Sequence, residues 1–391
     1  MSTWKRFSFA FNARRLIIIA IALIFASLVP SALGNAATVI YSRGTNAPVN
    51  VMPMQAPAGT GKVVFNNNYP AQIAPLPGNT IRYNDSVAAG VQENVNIART
   101  VQGPTKNMGH SQGAAVAGDA AVAIVQQGIK PASEVSTDLH ADPRMPNTGI
   151  EIVMQPYAAL IAPIAEMRGA RADVGVNNHW QSGRYDPYSN AQDPLRNPGG
   201  FLTQWSGLAQ GGHEVTFDPS RPRHTTDYGD GPITTVEGME HPWITDSERI
   251  ANGPVTEEWK TFVREVAPVG DPGSPVVAAP DPARVVAAGV NAVAAAFGAP
   301  APLPMPEAVP AAPVQQVVEQ VTNWTPAPEP SYTAPAPAYQ APVFEAPQVQ
   351  QFTQVANDFV QQVAPQAAPM VNDVVNNAVN QFAGLIGGLH P

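Results

Sequence analysis

A serine hydroxyl performs acyl transfer when three kinds of group surround it. An imidazole must take its proton, a carboxylate must orient that imidazole, and N–H donors must hold the developing oxyanion. The chain offers a candidate for each. Ser111 lies in Gly109-His110-Ser111-Gln112-Gly113, the G-x-S-x-G pattern of a nucleophile elbow. A serine on so sharp a turn sits in strained backbone space, and flanking residues without a Cβ let strand and helix approach. On such a fold the acid and then the base follow the serine along the chain. Asp186, in the turn Gly183-Arg184-Tyr185-Asp186-Pro187, and His213, after Gly211-Gly212, satisfy that order. Asp193 is the reserve acid and His241 the reserve base. The oxyanion donors would be the amide of Gln112 and an amide or hydroxyl at Gly44-Thr45.

The other histidines read as structural. His110 flanks the nucleophile but points away from a cleft that the serine faces, His179 and His224 read as loop residues, and His140 lines the cleft without proton chemistry. His213-Glu214 begins like a zincin helix but lacks the second histidine, so no metal is expected. Gly59-Thr60-Gly61-Lys62 has the wrong glycine spacing for a phosphate loop, and no nucleotide or other cofactor is expected.

These residues need a sheet edge to meet on. A short strand over 38–41 would carry Gly44-Thr45 on its end, and an apolar patch at Val63-Val64-Phe65 with a helix over 85–100 supplies a strand and a crossover. The alanine- and valine-rich run 112–127, closed by Gly128, reads as the elbow helix. The strand feeding it, Thr105-Lys106-Asn107-Met108, is more polar than a buried parallel strand usually is. A strand over 134–140 ends in Asp142-Pro143-Arg144-Met145-Pro146-Asn147-Thr148-Gly149, a rigid turn at the edge where open α/β sheets place ligands. A helix over 158–168 and the side chains of Phe201, Leu202 and Trp205 are candidates for an acyl-pocket cover and wall.

Composition narrows the setting. The 391 residues contain no cysteine, which excludes disulfides and thiolate chemistry. Residues 1–34 place Lys5, Arg6, Arg14 and Arg15 before an apolar run and a small-residue segment, as an export signal does, with cleavage expected between Gly34 and Ala37. Its removal takes the formal charge from −9 to −13, which disfavours nucleic acid as a partner. Beyond Pro268 the chain is rich in proline and alanine, with Arg284 its only Lys or Arg against eight acids. A linker is expected over 268–350. Helical stripes nevertheless recur at Val285, Val286, Gly289, Val290, Val293 and Phe297, at 314–324, and most clearly within 351–391. The last stripe is expected to dock on an envelope partner, a neutral glycolipid layer or the hydrolase domain itself.

Taken in order, Arg43-Gly44-Thr45, the elbow pentapeptide with Ala114, the 142–149 turn, Tyr185-Asp186-Pro187 and His213 closely resemble the PE-PPE-domain family, over about residues 38–220. That family comprises actinobacterial, cutinase-like α/β-hydrolase serine esterases found around mycolic-acid envelopes. His110 stands where the family usually has tyrosine, Arg43 where it prefers glycine, and Pro187 where glycine is common. The resemblance implies an α/β-hydrolase sheet with flanking helices over 38–267, followed by the Pro/Ala-rich tail with short amphipathic helices. It implies a secreted, envelope-associated esterase or lipase acting on acyl esters, with Asp186 and His213 as acid and base. An acyltransferase moving fatty or mycolic chains onto trehalose or a wall glycan shares the first half-reaction and is the alternative. A non-catalytic envelope scaffold is the third possibility.

Overall fold

The structure is a computed structural model and describes residues 36–158, 162, 165–275, 279–296 and 303–307. The export segment 1–34, Phe297 and the stripes at 314–324 and 351–391 lie outside the described residues. Seven strands form one sheet: β1 (Ala37–Ser42), β2 (Thr60–Phe65), β3 (Thr105–His110), β4 (Val135–His140), β5 (Trp180–Gly183), β6 (Arg223–Asp227) and β7 (Pro232–Val236). Their order is β2-β1-β3-β4-β5-β7-β6, parallel except for β6, which pairs antiparallel with β7 at the edge. The chain thus steps one way from β1 to β2 and then the other way from β3 onward. The reversal falls between β1 and β3, the kind of point at which α/β sheets bind ligands beyond the strands' carboxyl ends.

Helices α1 (Tyr83–Thr100) and α2 (Gln112–Gln126) cover one face of the sheet. Ile40 of β1 and Val135 of β4 pack there with Val95, Ala98, Ala121 and Ile124. Alanine on α2 has a packing reason, since Ala114, Ala115, Ala117, Ala120 and Ala121 are wholly buried and let the helix lie close to the strands. The opposite face has loop cover instead: Val39, Tyr41 and Met108 pack with Met52, Met54 and Phe217. β3 is central despite its polar sequence. Asn107 is fully buried with no partner for its side-chain amide among the described residues, for which the structure offers no compensation.

A short helix α3 (Ile150–Val153) is followed by four larger ones: α4 (Pro198–Ala209), α5 (Pro242–Ala251), α6 (Glu257–Val266) and α7 (Pro282–Ala296). They share a second core in which Phe201 and Leu202 meet Trp243, Ile244, Phe262 and Val263. Val285, Ala288 and Ala292 of α7 complete it. The packed structure therefore continues past the expected end at 267. A proline- and alanine-rich composition hid a helix whose inward face is apolar but for Asn291, bonded to the Leu303 backbone, and whose Arg284 bonds both carboxylate oxygens of Glu265 on α6.

The helix expected over 158–168 is present at its start, where Ala158 is helical and accepts the Ala162 N–H at 2.8 Å, but its last part departs: 165–168 is irregular. Charge explains the departure. Arg168, Arg171 and Arg144 converge on Asp119 of α2, at 2.5, 2.7 and 2.6 Å. Arg168 also bonds Glu151 at 2.8 Å, and Arg171 bonds Asp142 at 2.5 Å. Burial opposes ionisation of Asp119, but three guanidiniums hold its carboxyl well below the usual range. Three acids balance three bases, and the network ties the 142–149 turn and the 165–171 segment to the elbow helix.

Candidate active site

The elbow is built by backbone sterics. Ser111, between β3 and α2, has φ +58° and ψ −128°, and its N–H donates to the carbonyl of His140 at 2.9 Å. A Cβ on Gly109 would lie 2.1 Å from the Gly113 carbonyl oxygen, and one on Gly113 would lie 2.2 Å from that of Ser42. Neither neighbour is a side chain that could turn aside. Both glycines of the pentapeptide are therefore required by contact distances, and the turn brings the serine to the carboxyl edge between β1 and β3.

Gly44, on the end of β1, faces that serine: a Cβ placed on it would be 3.5 Å from the Ser111 Cβ. The Thr45 hydroxyl donates to Gln112 Oε1 at 3.3 Å, and Gln112 Nε2 donates to the Gln72 carbonyl at 2.8 Å. The hydroxyl is thus spent on fixing Gln112. Of the expected donors this leaves backbone amides, at the Gly44-Thr45 turn and at Gln112, where the first N–H of a helix has no acceptor within it.

Asp186 and His213 meet. His213 Nδ1 is 3.0 Å from Asp186 Oδ1, and both side chains are buried. The acid is saturated otherwise, since Oδ1 also accepts the Tyr188 N–H at 2.9 Å and Oδ2 accepts the Ser189 hydroxyl at 2.6 Å. Its carboxylate can therefore only accept from the imidazole, which puts the histidine proton on Nδ1 and leaves Nε2 as the basic atom. Burial alone would lower the pKa of His213; the Asp186 charge and hydrogen bond override it and raise the value above 6.5.

Two rings flank His213. Tyr188 lies 4.8 Å from His213 by ring centroids, and His110 lies 4.5 Å away on another side. His110 Nε2 also bonds the His213 carbonyl at 3.1 Å, so the residue that precedes Ser111 grips the loop that bears His213. The Ser111 hydroxyl itself makes no hydrogen bond among the described residues.

The reserve residues are engaged elsewhere. Asp193 caps its own turn, accepting from the amides of Leu195 and Arg196 and from the Tyr157 hydroxyl. His241 is buried against Tyr185, bonds the Ala267 carbonyl at 3.0 Å, and is driven by burial to a pKa of about 4. The expected pocket wall belongs to the second core: Phe201 and Leu202 lie within it, and Trp205 packs on it while its ring lies 5.8 Å from that of Tyr188. His140 and His179 both face Asp138, at 3.5 and 3.1 Å.

Sequence reasoning missed the supports of the acid loop. Thr148 Oγ1 donates to the Ser189 carbonyl and accepts the Gly273 N–H, at 2.9 and 2.7 Å, while Asn147 donates to the Gly273 carbonyl. Asn190 reaches the carbonyls of Arg184 and Gly270. The 142–149 turn, expected at a ligand edge, is thus a brace between the elbow helix and the acid loop. Its residues are those that favour turns, but their partner at 270–273 lies more than a hundred residues on, where only coordinates reveal it.

His224, Glu237 and Asp271 cluster closely enough to suggest a cation, but Arg184 already bonds Glu237 and Asp271 at 2.9 and 2.6 Å and supplies that charge. Among the described residues no helix is long and apolar enough to cross a membrane. Compared with protein-family models and with curated proteins, the chain matches none.

Proposed function

We propose that the chain is a serine hydrolase of carboxylic esters on an α/β-hydrolase, cutinase-like fold. The reading rests above all on one observation: a strained serine at the sheet's switch point adjoins, through His110, a buried imidazole bonded to a saturated carboxylate. Ser111 Oγ attacks the ester carbonyl carbon as His213 Nε2 takes its proton. The oxyanion is held by the amides of Gln112 and the Gly44-Thr45 turn. Collapse expels the alcohol, which receives the proton from His213, and leaves an acyl-serine. Water, deprotonated by the same imidazole, attacks the acyl carbon, and the acid leaves as His213 returns the proton to Ser111 Oγ. Asp186 stabilises the imidazolium formed in each half-reaction without itself taking the proton.

The resemblance to PE-PPE esterases supports the same reading and extends it to an exported, envelope-associated enzyme with lipid-like acyl esters as substrates. No observation favours a sugar acceptor over water, so hydrolysis is the reading advanced. A fluorophosphonate probe tests it on the full chain. Labelling should occur on the folded protein and vanish in Ser111→Ala, together with p-nitrophenyl ester hydrolysis. Label retained in Ser111→Ala, or none on the wild type, would remove the assignment.

A further inference from the structure

His110 belongs to none of the three catalytic roles, yet it touches the parts that carry two of them. Its ring centroid is 4.5 Å from that of His213 and 4.5 Å from that of Phe217, so it is wedged inside the base loop. Its Nε2 is 3.1 Å from the carbonyl oxygen of His213 itself. A carbonyl can only accept, so Nε2 carries the hydrogen. Its Nδ1 side abuts the oxyanion turn, where a Cβ on Gly44 would come within 3.1 Å. The next residue along the chain is the nucleophile.

We infer that His110 is a positioning residue, whose Nε2–H bond to the His213 backbone fixes the separation of the base from the serine that follows it. The inference rests on the ester-hydrolase reading above. Its logic is mechanical. Ser111 is held by β3 and α2, whereas His213 rides on a loop that begins at Gly211-Gly212, with Gly211 at φ +84°. The Asp186 bond fixes which way the imidazole faces but joins it to another loop, not to the elbow. His110 is the direct tie from elbow to base. The residue must also stay uncharged beside an imidazole that becomes positive during turnover. Burial and the neighbouring His213 hold its pKa well below the ordinary value, which secures that state.

The test separates donor from ring in the full chain. His110→Phe keeps an aromatic wedge without the N–H, and His110→Gln keeps an N–H without the ring. With p-nitrophenyl butyrate, His110→Phe should lose about 100-fold in kcat, the effect of misplacing a catalytic group by about an ångström. KM should stay within about twofold, because substrate binding is untouched. His110→Gln should recover about tenfold of the loss, the worth of one hydrogen bond. The His213 imidazole, followed by NMR, should titrate lower in His110→Phe as its geometry against Asp186 loosens, and return towards the wild-type value in His110→Gln. Wild-type kcat in His110→Phe, or a His110→Gln no better than His110→Phe, overturns the inference. So does a loss of activity that only tracks a lowered Tm. If Ser111→Ala still hydrolyses ester, the underlying reading has failed instead. The NMR titration then decides whether His110 positions His213, and an unmoved titration rejects it.

Discussion

The two halves of the site are held in different ways. The elbow between β3 and α2 is set by backbone against backbone: Gly109 and Gly113 leave no room for a Cβ, and the distances that forbid it are to carbonyl oxygens a few residues away or on the adjacent strand end. The acid and base are set by side chains reaching backbone. Asp186 depends on Ser189 and on the Tyr188 amide; their loop depends on Thr148, and Thr148 depends on Gly273. The strained Ser111, the proposed nucleophile, is fixed rigidly and locally. His213, the proposed base, is fixed by a relay of hydrogen bonds that starts in the acid loop and runs on to distant segments.

The largest effect expected from breaking this contrast is on the relay side. Asp186→Asn keeps the shape but can donate to the imidazole, which favours the wrong tautomer, and in a triad this costs about 10⁴-fold in kcat. Only neutral His213 is active, so activity falls as pH drops through its pKa. With that pKa raised above 6.5 by Asp186, the acidic limb of kcat/KM should lie above 6.5 in the wild type and move down in Asp186→Asn. A pH–rate profile on p-nitrophenyl butyrate measures both. A limb that stays in place would mean that a different acid serves the base.

On the elbow side the failure should be structural. Gly113→Ala places a methyl group 2.2 Å from the Ser42 oxygen and 2.4 Å from that of Arg43, so strand β1 and helix α2 must part. The expected cost is about 4 kcal/mol or more, and activity should be lost together with Tm. Denaturant unfolding checks it. A stable but inactive Gly113→Ala would show the elbow to be less tightly packed than its contacts imply.

The same contrast explains what could be read in advance. Gly109, Ser111 and Gly113 were legible because a backbone constraint is written in residue type at fixed spacing. Asp186 and His213 followed from chain order and from the family resemblance, and they meet as expected. Thr148 and Asn147 read as turn residues and not as braces, and Asn190 carries no signal of its own, because their partners at 270–273 sit in sequence that composition alone assigns to a linker. Arg168 and Arg171 were passed over for a related reason: one sits at the end of an apolar-looking helical pattern, and only Asp119, about fifty residues earlier, tells why it leaves that pattern. The polar strand β3 gave a warning against its own burial, and Asn107 is buried all the same.

His241 extends the comparison to the second core. It was a reserve base by sequence, but its neutral ring is packed beside Tyr185 and bonded to Ala267, so it contributes through stability. Its pKa is lowered from 6.5 to about 4 by burial, and the unfolded chain therefore binds the extra proton first. The stability tied to its neutral form is present above pH 6.5 and is lost as pH falls towards 4. That gap corresponds to roughly 3 kcal/mol. In His241→Gln the slope of unfolding free energy between those pH values should flatten, whatever the substitution does at neutral pH. An unchanged slope would place the acid sensitivity elsewhere.

The smallest effect tests whether the relay reaches as far as residue 273. Thr148→Val keeps the shape of the side chain but removes the hydroxyl that accepts the Gly273 N–H and donates to the Ser189 carbonyl. Two buried polar groups lose a partner, at an expected cost of about 1–3 kcal/mol. If the hydroxyl links the 270–273 segment to the acid loop, the loss will not stop at stability. Ser189 also donates to Asp186, so a shift of its backbone alters the carboxylate that orients His213. A fall in kcat should therefore accompany the fall in Tm, at unchanged KM, and it should be absent from Asn147→Ala, which loosens Gly273 without touching Ser189. Equal activity in the two variants would mean that the 270–273 segment stabilises the fold but does not align the acid.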